Sequence, residues 1–261
     1  MSLKISFYTS EENKGLVPEP VPAYKEIPKW FSDLPMPSVK KCPFRFLTED
    51  KREVGKETNN TKTCPGIFDF LSSGYIIKSW STFLFREESE GQIYINWVDS
   101  VVKNELTHHS SSLVGEYFNE DDPYKFFLKL KSPWYMKTDP GVSTLILHPL
   151  WNNENRFSTA AGIYHTDISP LEINWMFKWN KKINTGMELD GMSEDQIVEI
   201  NTPLMCLVPF YRKKFESEIN YIENWKIDRL QKSMWFTNHS ASRTRKSFYR
   251  MISQKFGLNH T

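Results

Sequence analysis

The sequence predicts a mainly β protein whose core is an antiparallel sandwich or barrel-like structure, of the jelly-roll or β-clip type, with a helical C-terminal tail. Aromatic residues make up 15% of the 261 residues, and aromatic side chains pack well on the pleated surface of a sheet. Short β-forming runs recur along the chain between turn signals. Beyond Tyr211 the apolar residues recur instead at helical spacing.

Residues 1–50 are predicted to form an extended proline-rich arm and a short helical turn. Apolar and polar residues alternate over 3–8, which is typical of a short strand. Prolines alternate over 18–22 and keep their neighbours extended, which favours a polyproline-like conformation. An arm packed on the chain's own aromatic surface is favoured over a docking motif for a partner. Pro28 suits the first position of a helical turn over 27–35.

Residues 51–211 are predicted to form the β-rich core domain. The run from Val142 to His148 is the most apolar in the chain, and the Asp139-Pro140-Gly141 sequence before it is a turn signal. Other strands are indicated by runs of aromatic and β-branched residues. The predicted strands lie at 74–77, 80–85, 92–98, 125–130, 142–148, 162–164, 173–179 and 204–210.

Residues 212–261 are predicted to form an amphipathic helix followed by a basic tail. The helix is indicated by apolar residues at steps of roughly three to five among polar ones, namely Phe215, Ile219, Ile222, Ile227, Leu230 and Met234. The basic tail, which includes Arg243, Arg245 and Arg250, interleaves aromatic residues, a pattern that can hold single-stranded nucleic acid. Packing on the body of the protein or on a protein partner is favoured, because the whole chain is near neutral.

Bulk composition restricts the function classes. The formal net charge is +1, whereas a nucleic-acid-binding domain usually carries a strong basic excess. No apolar stretch has the length of a membrane span or of a signal peptide, and three Cys residues do not pair evenly into disulfides. We therefore expect a soluble intracellular protein with reduced thiols and no membrane partner.

One motif carries candidate metal chemistry. His165 and Asp167 are two residues apart, so on an extended strand an imidazole and a carboxylate can share one face, as in a facial iron triad. With His239 as third ligand and Arg250 as the partner of a 2-oxo acid, the set resembles the Fe(II) and 2-oxoglutarate-dependent oxygenases. The segment before His239 is predicted to be helical, whereas that family places its distal histidine on a strand. A surface turn in which Asp167 caps the backbone is the favoured interpretation.

Two further residues are interpreted structurally. His148 ends an apolar run, which indicates a strand-end histidine with one satisfied hydrogen bond. Cys206 lies in an apolar strand and is assigned to the core. The sequence contains no nucleophile motif, phosphate-binding glycine loop or Walker pattern.

A set of segments spread over residues 1–215 carries a family resemblance. The segments are Pro22-Ala23, Ile27 to Phe31, Cys64-Pro65 to Phe70-Leu71, Gly74 to Ile77, Pro133-Trp134 to Pro140-Gly141, His148 to Leu150, Gly162 to Asp167, and Thr202-Pro203 to Pro209-Phe210. Together they resemble an uncharacterised protein family encoded by tailed bacteriophages, notably marine cyanophages, and by some bacteria. The resemblance implies no activity that can be carried onto residues, and the position of His165 varies in that family.

Two functions from different classes follow. The first is a phage-encoded, non-enzymatic binding protein, a virion or assembly component found in the host cytoplasm during infection and in the particle. Its partners are other phage proteins or further copies of itself. The alternative is an Fe(II) and 2-oxoglutarate-dependent oxygenase that uses His165, Asp167, His239 and Arg250.

Overall fold

The structure is a computed structural model, and it describes residues 3–35, 61–88, 91–98, 102, 104–168, 170–183 and 194–230. The chain forms two compact units. Unit 1 comprises Met1–Glu26 and Gly74–Lys213, and unit 2 comprises Ile27–Ser73 and Lys214–Thr261. The predicted division at residues 50 and 211 stays a prediction.

Thirteen strands are assigned in the described residues, and all of them belong to unit 1. They are β1 (Ile5–Tyr8), β2 (Val21–Pro22), β3 (Tyr75–Lys78), β4 (Thr82–Glu87), β5 (Ile93–Val98), β6 (Leu106–Ser110), β7 (Phe126–Thr138), β8 (Val142–Leu147), β9 (Phe157–Thr159), β10 (Gly162–Tyr164), β11 (Leu171–Trp179), β12 (Ile197–Val198) and β13 (Pro203–Tyr211). A four-residue helix, Ser111–Val114, follows β6.

The strands form three antiparallel sheets. The first has the order β1-β7-β11-β9, with β6 also paired to β7; the second has the order β10-β8-β13-β3-β2; the third has the order β12-β4-β5. The predicted mainly β, antiparallel class is therefore confirmed, and the arrangement is sandwich-like. The barrel-like alternative is wrong, because the sheets stay open and do not close on themselves.

One hydrophobic core joins the three sheets. Phe85 of β4, Trp175 of β11 and Leu207 of β13 belong to the same buried cluster, and the solvent-exposed fraction of each side chain is 0%. The ring centroids of Phe85 and Trp175 lie 6.5 Å apart. The high aromatic content noted in the sequence is thus concentrated in a core that draws on every sheet.

Strand β7 is longer than its sequence predicts. The predicted strand ended at residue 130, but β7 continues to Thr138. Pro133 has no backbone N–H, and it lies between the part of β7 that pairs with β6 and the part that pairs with β1. A proline is tolerated there because the ladder on that edge is interrupted.

Unit 2 contains the short helices α1 (Lys29–Asp33) and α2 (Pro65–Leu71) and a helical run at 224–230 in its described residues. Helix α1 confirms the predicted helical turn at 27–35. The Lys62 Nζ donates hydrogen bonds to the carbonyl oxygens of Ser32, at 2.8 Å, and Leu34, at 2.5 Å. A cation at the C-terminus of a helix satisfies carbonyl groups that have no partner within the helix.

The structure does not support the predicted C-terminal helix. Within the predicted helix, residues 212–223 contain no helix or strand, and residues 224–230 are helical. Met234 and the basic tail lie outside the described residues. Within the described chain no helix is long and apolar enough to cross a membrane.

Candidate functional site

The predicted His165-Thr166-Asp167 motif lies just after strand β10, beside the turn that joins β7 to β8. Strand β10 ends at Tyr164, and Thr166 and Asp167 lie in a turn. His165 is exposed, Thr166 is buried, and Asp167 is half-buried. The metal hypothesis assumed an extended strand, whereas here a turn brings the His165 imidazole and the Asp167 carboxylate to the same Arg212 side chain.

Arg212, the first residue after β13, holds the Asp167 carboxylate. Its Nη1 donates to Asp167 Oδ1 at 3.0 Å, and its Nη2 donates to Oδ2. The Gly141 N–H donates to Oδ2 at 2.9 Å. The pKa of the Asp167 carboxyl is lowered to about 2, first by the Arg212 guanidinium and then by the Gly141 N–H. Asp167 therefore caps a backbone group, which confirms the favoured interpretation of this motif.

The same guanidinium also contacts Ser143 and His165. Arg212 Nη1 donates to Ser143 Oγ at 2.6 Å and lies 3.1 Å from His165 Nδ1. The Ser143 Oγ and His165 Nδ1 are 2.8 Å apart. Because a guanidinium can only donate, Nδ1 acts as an acceptor, and the ring proton is placed on Nε2.

A buried layer of hydroxyl groups supports the motif from below. The Thr166 Oγ1 lies 2.8 Å from Thr138 Oγ1 and 3.1 Å from Thr144 Oγ1. The Thr138 N–H donates to the Thr166 carbonyl oxygen at 3.0 Å. Since each of these buried hydroxyls has a hydrogen-bond partner, the layer fixes the backbone that carries His165 and Asp167.

The contacts of His165 and Asp167 do not fit Fe(II) as they lie. Both side chains contact the positively charged Arg212, so a metal cation would have to displace another cation. In the described part of the chain, no group of three or more His, Cys, Asp or Glu residues could hold a metal ion. His239 and Arg250 lie outside the described residues, so the complete ligand set stays a prediction.

The Ser143, His165 and Asp167 side chains also do not form a nucleophilic triad. Ser143 has an exposed fraction of 0%, so its hydroxyl does not face a substrate. Asp167 is held by Arg212 and Gly141, whereas a triad needs the carboxylate to orient the histidine. We interpret these residues as a structural cluster that fixes the end of strand β10.

A surface groove adjoins this cluster, between β10 and the start of β11. Its volume is about 500 Å³. Two of its isoleucines are exposed, Ile163 at 55% and Ile168 at 78%. The groove is lined by Ile163, Tyr164, His165, Ile168, Leu171, Glu172 and Asn174.

The wall of the groove contains an unsatisfied polar atom. The Oδ1 of Asn174 is buried and has no hydrogen-bond partner in the described structure. The pairing of β11 with β7 shifts register between Glu172 and Asn174, and a bulge of this kind re-aims side chains. Burial raises the pKa of Tyr164, which lines the same groove. The groove thus combines an exposed apolar rim with a buried acceptor.

The two residues interpreted structurally lie as predicted. The His148 Nδ1 accepts a hydrogen bond from the Thr159 N–H at 3.3 Å, and burial lowers the pKa of the ring. Cys206 is 5% exposed, and burial raises the pKa of its thiol to about 11.

Arg212 and Asn174 were not identified from the sequence. Arg212 follows the strand run at 204–210, and its position at the end of that run is the one signal that could have drawn attention to it. Asn174 lies within an alternating strand, where no sequence pattern distinguishes it from any other outward-facing polar residue.

Comparisons with known proteins identify no relative. A scan against protein-family models found no match, and neither did a search of curated proteins. The resemblance to a phage-encoded family therefore stays a prediction.

Proposed function

We propose that this protein is a non-enzymatic binding protein that acts as a virion or assembly component of a bacteriophage. Its partners are other phage proteins or further copies of itself, and it is present in the host cytoplasm during infection. The phage origin rests on the sequence resemblance. The observation that carries the binding role is the apolar groove at the edge strand β10.

The edge of β10 supports a role in protein binding. In the described residues β10 pairs with β8 and ends its sheet, so a further chain can add to its other edge. Extended segments bind to such edges through main-chain hydrogen bonds, while nearby pockets select side chains. Ile163 and Ile168 supply exposed apolar surface at this position.

Particle composition tests this proposal. Quantitative mass spectrometry of purified particles, compared with infected-cell lysate, is expected to give a fixed copy number per particle. The double variant Ile163→Lys with Ile168→Lys places two charges in the groove, and it is expected to lower that copy number by about tenfold or more.

Ile200→Lys is the matched control, because Ile200 is 48% exposed and does not line the groove. It is expected to leave the copy number unchanged. A protein that is abundant in lysate but missing from particles and their precursors would contradict the proposal.

The alternative function is the Fe(II) and 2-oxoglutarate-dependent oxygenase with His165, Asp167, His239 and Arg250. His165 and Asp167 converge on one atom, Arg212 Nη1, at 3.1 and 3.0 Å, so iron binding at this point requires that Arg212 moves away. Iron titration of the purified chain tests it. If His165→Ala leaves the bound iron and any 2-oxoglutarate turnover unchanged, the alternative is rejected.

A further inference from the structure

We propose that the groove of one copy is occupied by residues 215–221 of a second copy, which add as an extended strand to the edge of β10. This inference rests on the proposed binding function and names the partner.

The segment 215–221 carries large apolar side chains at three of its four alternate positions, and the fourth is Ser217. Phe215, Ile219 and Tyr221 are 92%, 80% and 95% exposed. The positions between them include Glu216, Glu218 and Asn220. In an extended strand, side chains two or four residues apart lie on one face, so such a strand would have one apolar and one polar face.

The backbone of this segment is also available for pairing. Residues 212–223 belong to no helix or strand, and none of the described sheets includes them. An extended segment without a ladder partner gains main-chain hydrogen bonds when it adds to a sheet edge. Strand β10 is three residues long, about 10 Å at the usual rise of a strand, so it can pair with about three residues of the segment.

The groove matches one residue of the segment in particular. A tyrosine presents an apolar ring and a single hydroxyl donor. The groove has the complementary arrangement, with Ile163 and Ile168 exposed at its rim and the unpartnered Oδ1 of Asn174 in its wall. We therefore place the Tyr221 ring in the groove, where the Asn174 side chain turns toward it so that the buried Oδ1 accepts its O–H.

The first test measures the mass of the full chain over a dilution series by sedimentation. The triple variant Phe215→Ser, Ile219→Ser, Tyr221→Ser is expected to abolish self-association. The matched control is Glu216→Ser, Glu218→Ser, Asn220→Ser, which alters the same segment on its polar face and is expected to leave self-association intact.

Two results of this test would overturn the inference. One is a wild-type chain that stays monomeric at every concentration. The other is an equal loss of self-association in the two triple variants, because a strand that docks by its apolar face should be weakened only by the variant that changes that face. Ile222→Ser adds a check on conformation, because Ile222 shares a face with Phe215 and Ile219 only in a helix; it is expected to have no effect.

A double-mutant cycle tests the hydrogen bond. Tyr221→Phe removes only the hydroxyl, and it is expected to weaken self-association about five- to tenfold, because it leaves the buried Asn174 acceptor without a partner. In the background of Asn174→Leu, the same change is expected to have almost no effect. An equal loss in both backgrounds would contradict the contact.

The failure of this inference is distinguishable from that of the proposed function. Suppose that the Ile163→Lys, Ile168→Lys variant is lost from particles, while the Phe215→Ser, Ile219→Ser, Tyr221→Ser variant is incorporated at full copy number. In that case a different chain occupies the groove, and the inference fails. If the wild-type chain is absent from particles, the proposed function fails, whatever the state of self-association.

Discussion

Strand β11 and the segment 215–221 both place large apolar side chains at alternate positions, yet their environments differ. In β11, the exposed fractions of Ile173, Trp175, Phe177 and Trp179 are 0%, 0%, 0% and 1%. In 215–221, the three apolar side chains are 80% to 95% exposed. Alternation specifies which residues share a face, but a second surface is needed to cover that face.

Neighbouring strands pack against both edges and the inner face of β11. Strand β7 pairs along one edge, β9 pairs along the other, and the aromatic rings of β4 pack against its inner face. The exposed segment has no strand partner among the described residues. This segment has the pattern of a strand, and in our proposal a second copy of the chain buries its apolar face.

The largest effect on the free energy of unfolding is expected when a buried side chain of β11 is truncated. Trp175→Ala removes a ring that stacks on Phe177 with a centroid distance of 3.7 Å and donates its indole N–H to Thr159 Oγ1 at 3.1 Å. The free energy of unfolding is expected to fall by about 3–5 kcal/mol. Denaturant unfolding of the full chain measures it.

Phe215→Ala is the control for this prediction, because the removed ring is 92% exposed. It is expected to change the free energy of unfolding by less than about 0.5 kcal/mol at concentrations where the chain is monomeric. If the two substitutions had similar effects, the contrast between the two regions would be wrong.

A smaller effect is expected at a tight turn that fits against strand β13. Gly74 has φ +75°, and a Cβ at this position would collide with the backbone of Leu207. Gly74→Ala is expected to lower the free energy of unfolding by about 3 kcal/mol, because neither the backbone conformation nor the neighbouring strand can relax cheaply.

Gly15 provides a matched control, since its φ is also +75° but no atom lies within 4 Å of the added Cβ. Gly15→Ala is expected to lower the free energy of unfolding by only about 1 kcal/mol, from backbone strain alone. Equal losses at the two glycines would show that packing against β13 contributes nothing.

Much of the fold was predictable because the pattern and the environment agree. The alternation in β11 and the apolar run of β8 indicated strands correctly. Strand β7 was predicted too short, since Pro133 would break an uninterrupted ladder and only the pairing partners show that the ladder is interrupted there.

The remaining features depend on contacts that are distant in the chain. Arg212 lies 45 residues from Asp167, and no local pattern joins them. The error in the tail has a different cause. Phe215 and Ile219 satisfy both the helical and the strand period, with Ile222 favouring a helix and Tyr221 a strand. A short segment cannot be assigned by period alone.

The smallest expected effect is a dependence of the free energy of unfolding on pH, caused by the Asp167 carboxylate. Because the pKa of Asp167 is lowered to about 2 from the usual value of about 3.9, its carboxylate contributes stability that is fully present above about pH 4. That contribution is lost as the pH falls through about 2. Asp167→Asn lacks this carboxylate, so the stability difference between wild type and variant is expected to shrink across this window.

Urea unfolding at a series of acidic pH values measures this difference. Arg212→Lys is the companion variant: it keeps the positive charge but cannot form two parallel hydrogen bonds, so it is expected to reduce the pH dependence in part. Parallel stability curves for wild type and Asp167→Asn would show that the ion pair does not lower this pKa.

Amide hydrogen exchange shows whether residues 215–221 form a strand when the chain self-associates. At concentrations where the chain self-associates, the amides of 215–221 are expected to be protected, and this protection is expected to disappear on dilution or with Ile163→Lys. Ile200→Lys should leave it unchanged. Amides in 215–221 that exchange at the unprotected rate at every concentration would contradict the account, because no strand would then have formed.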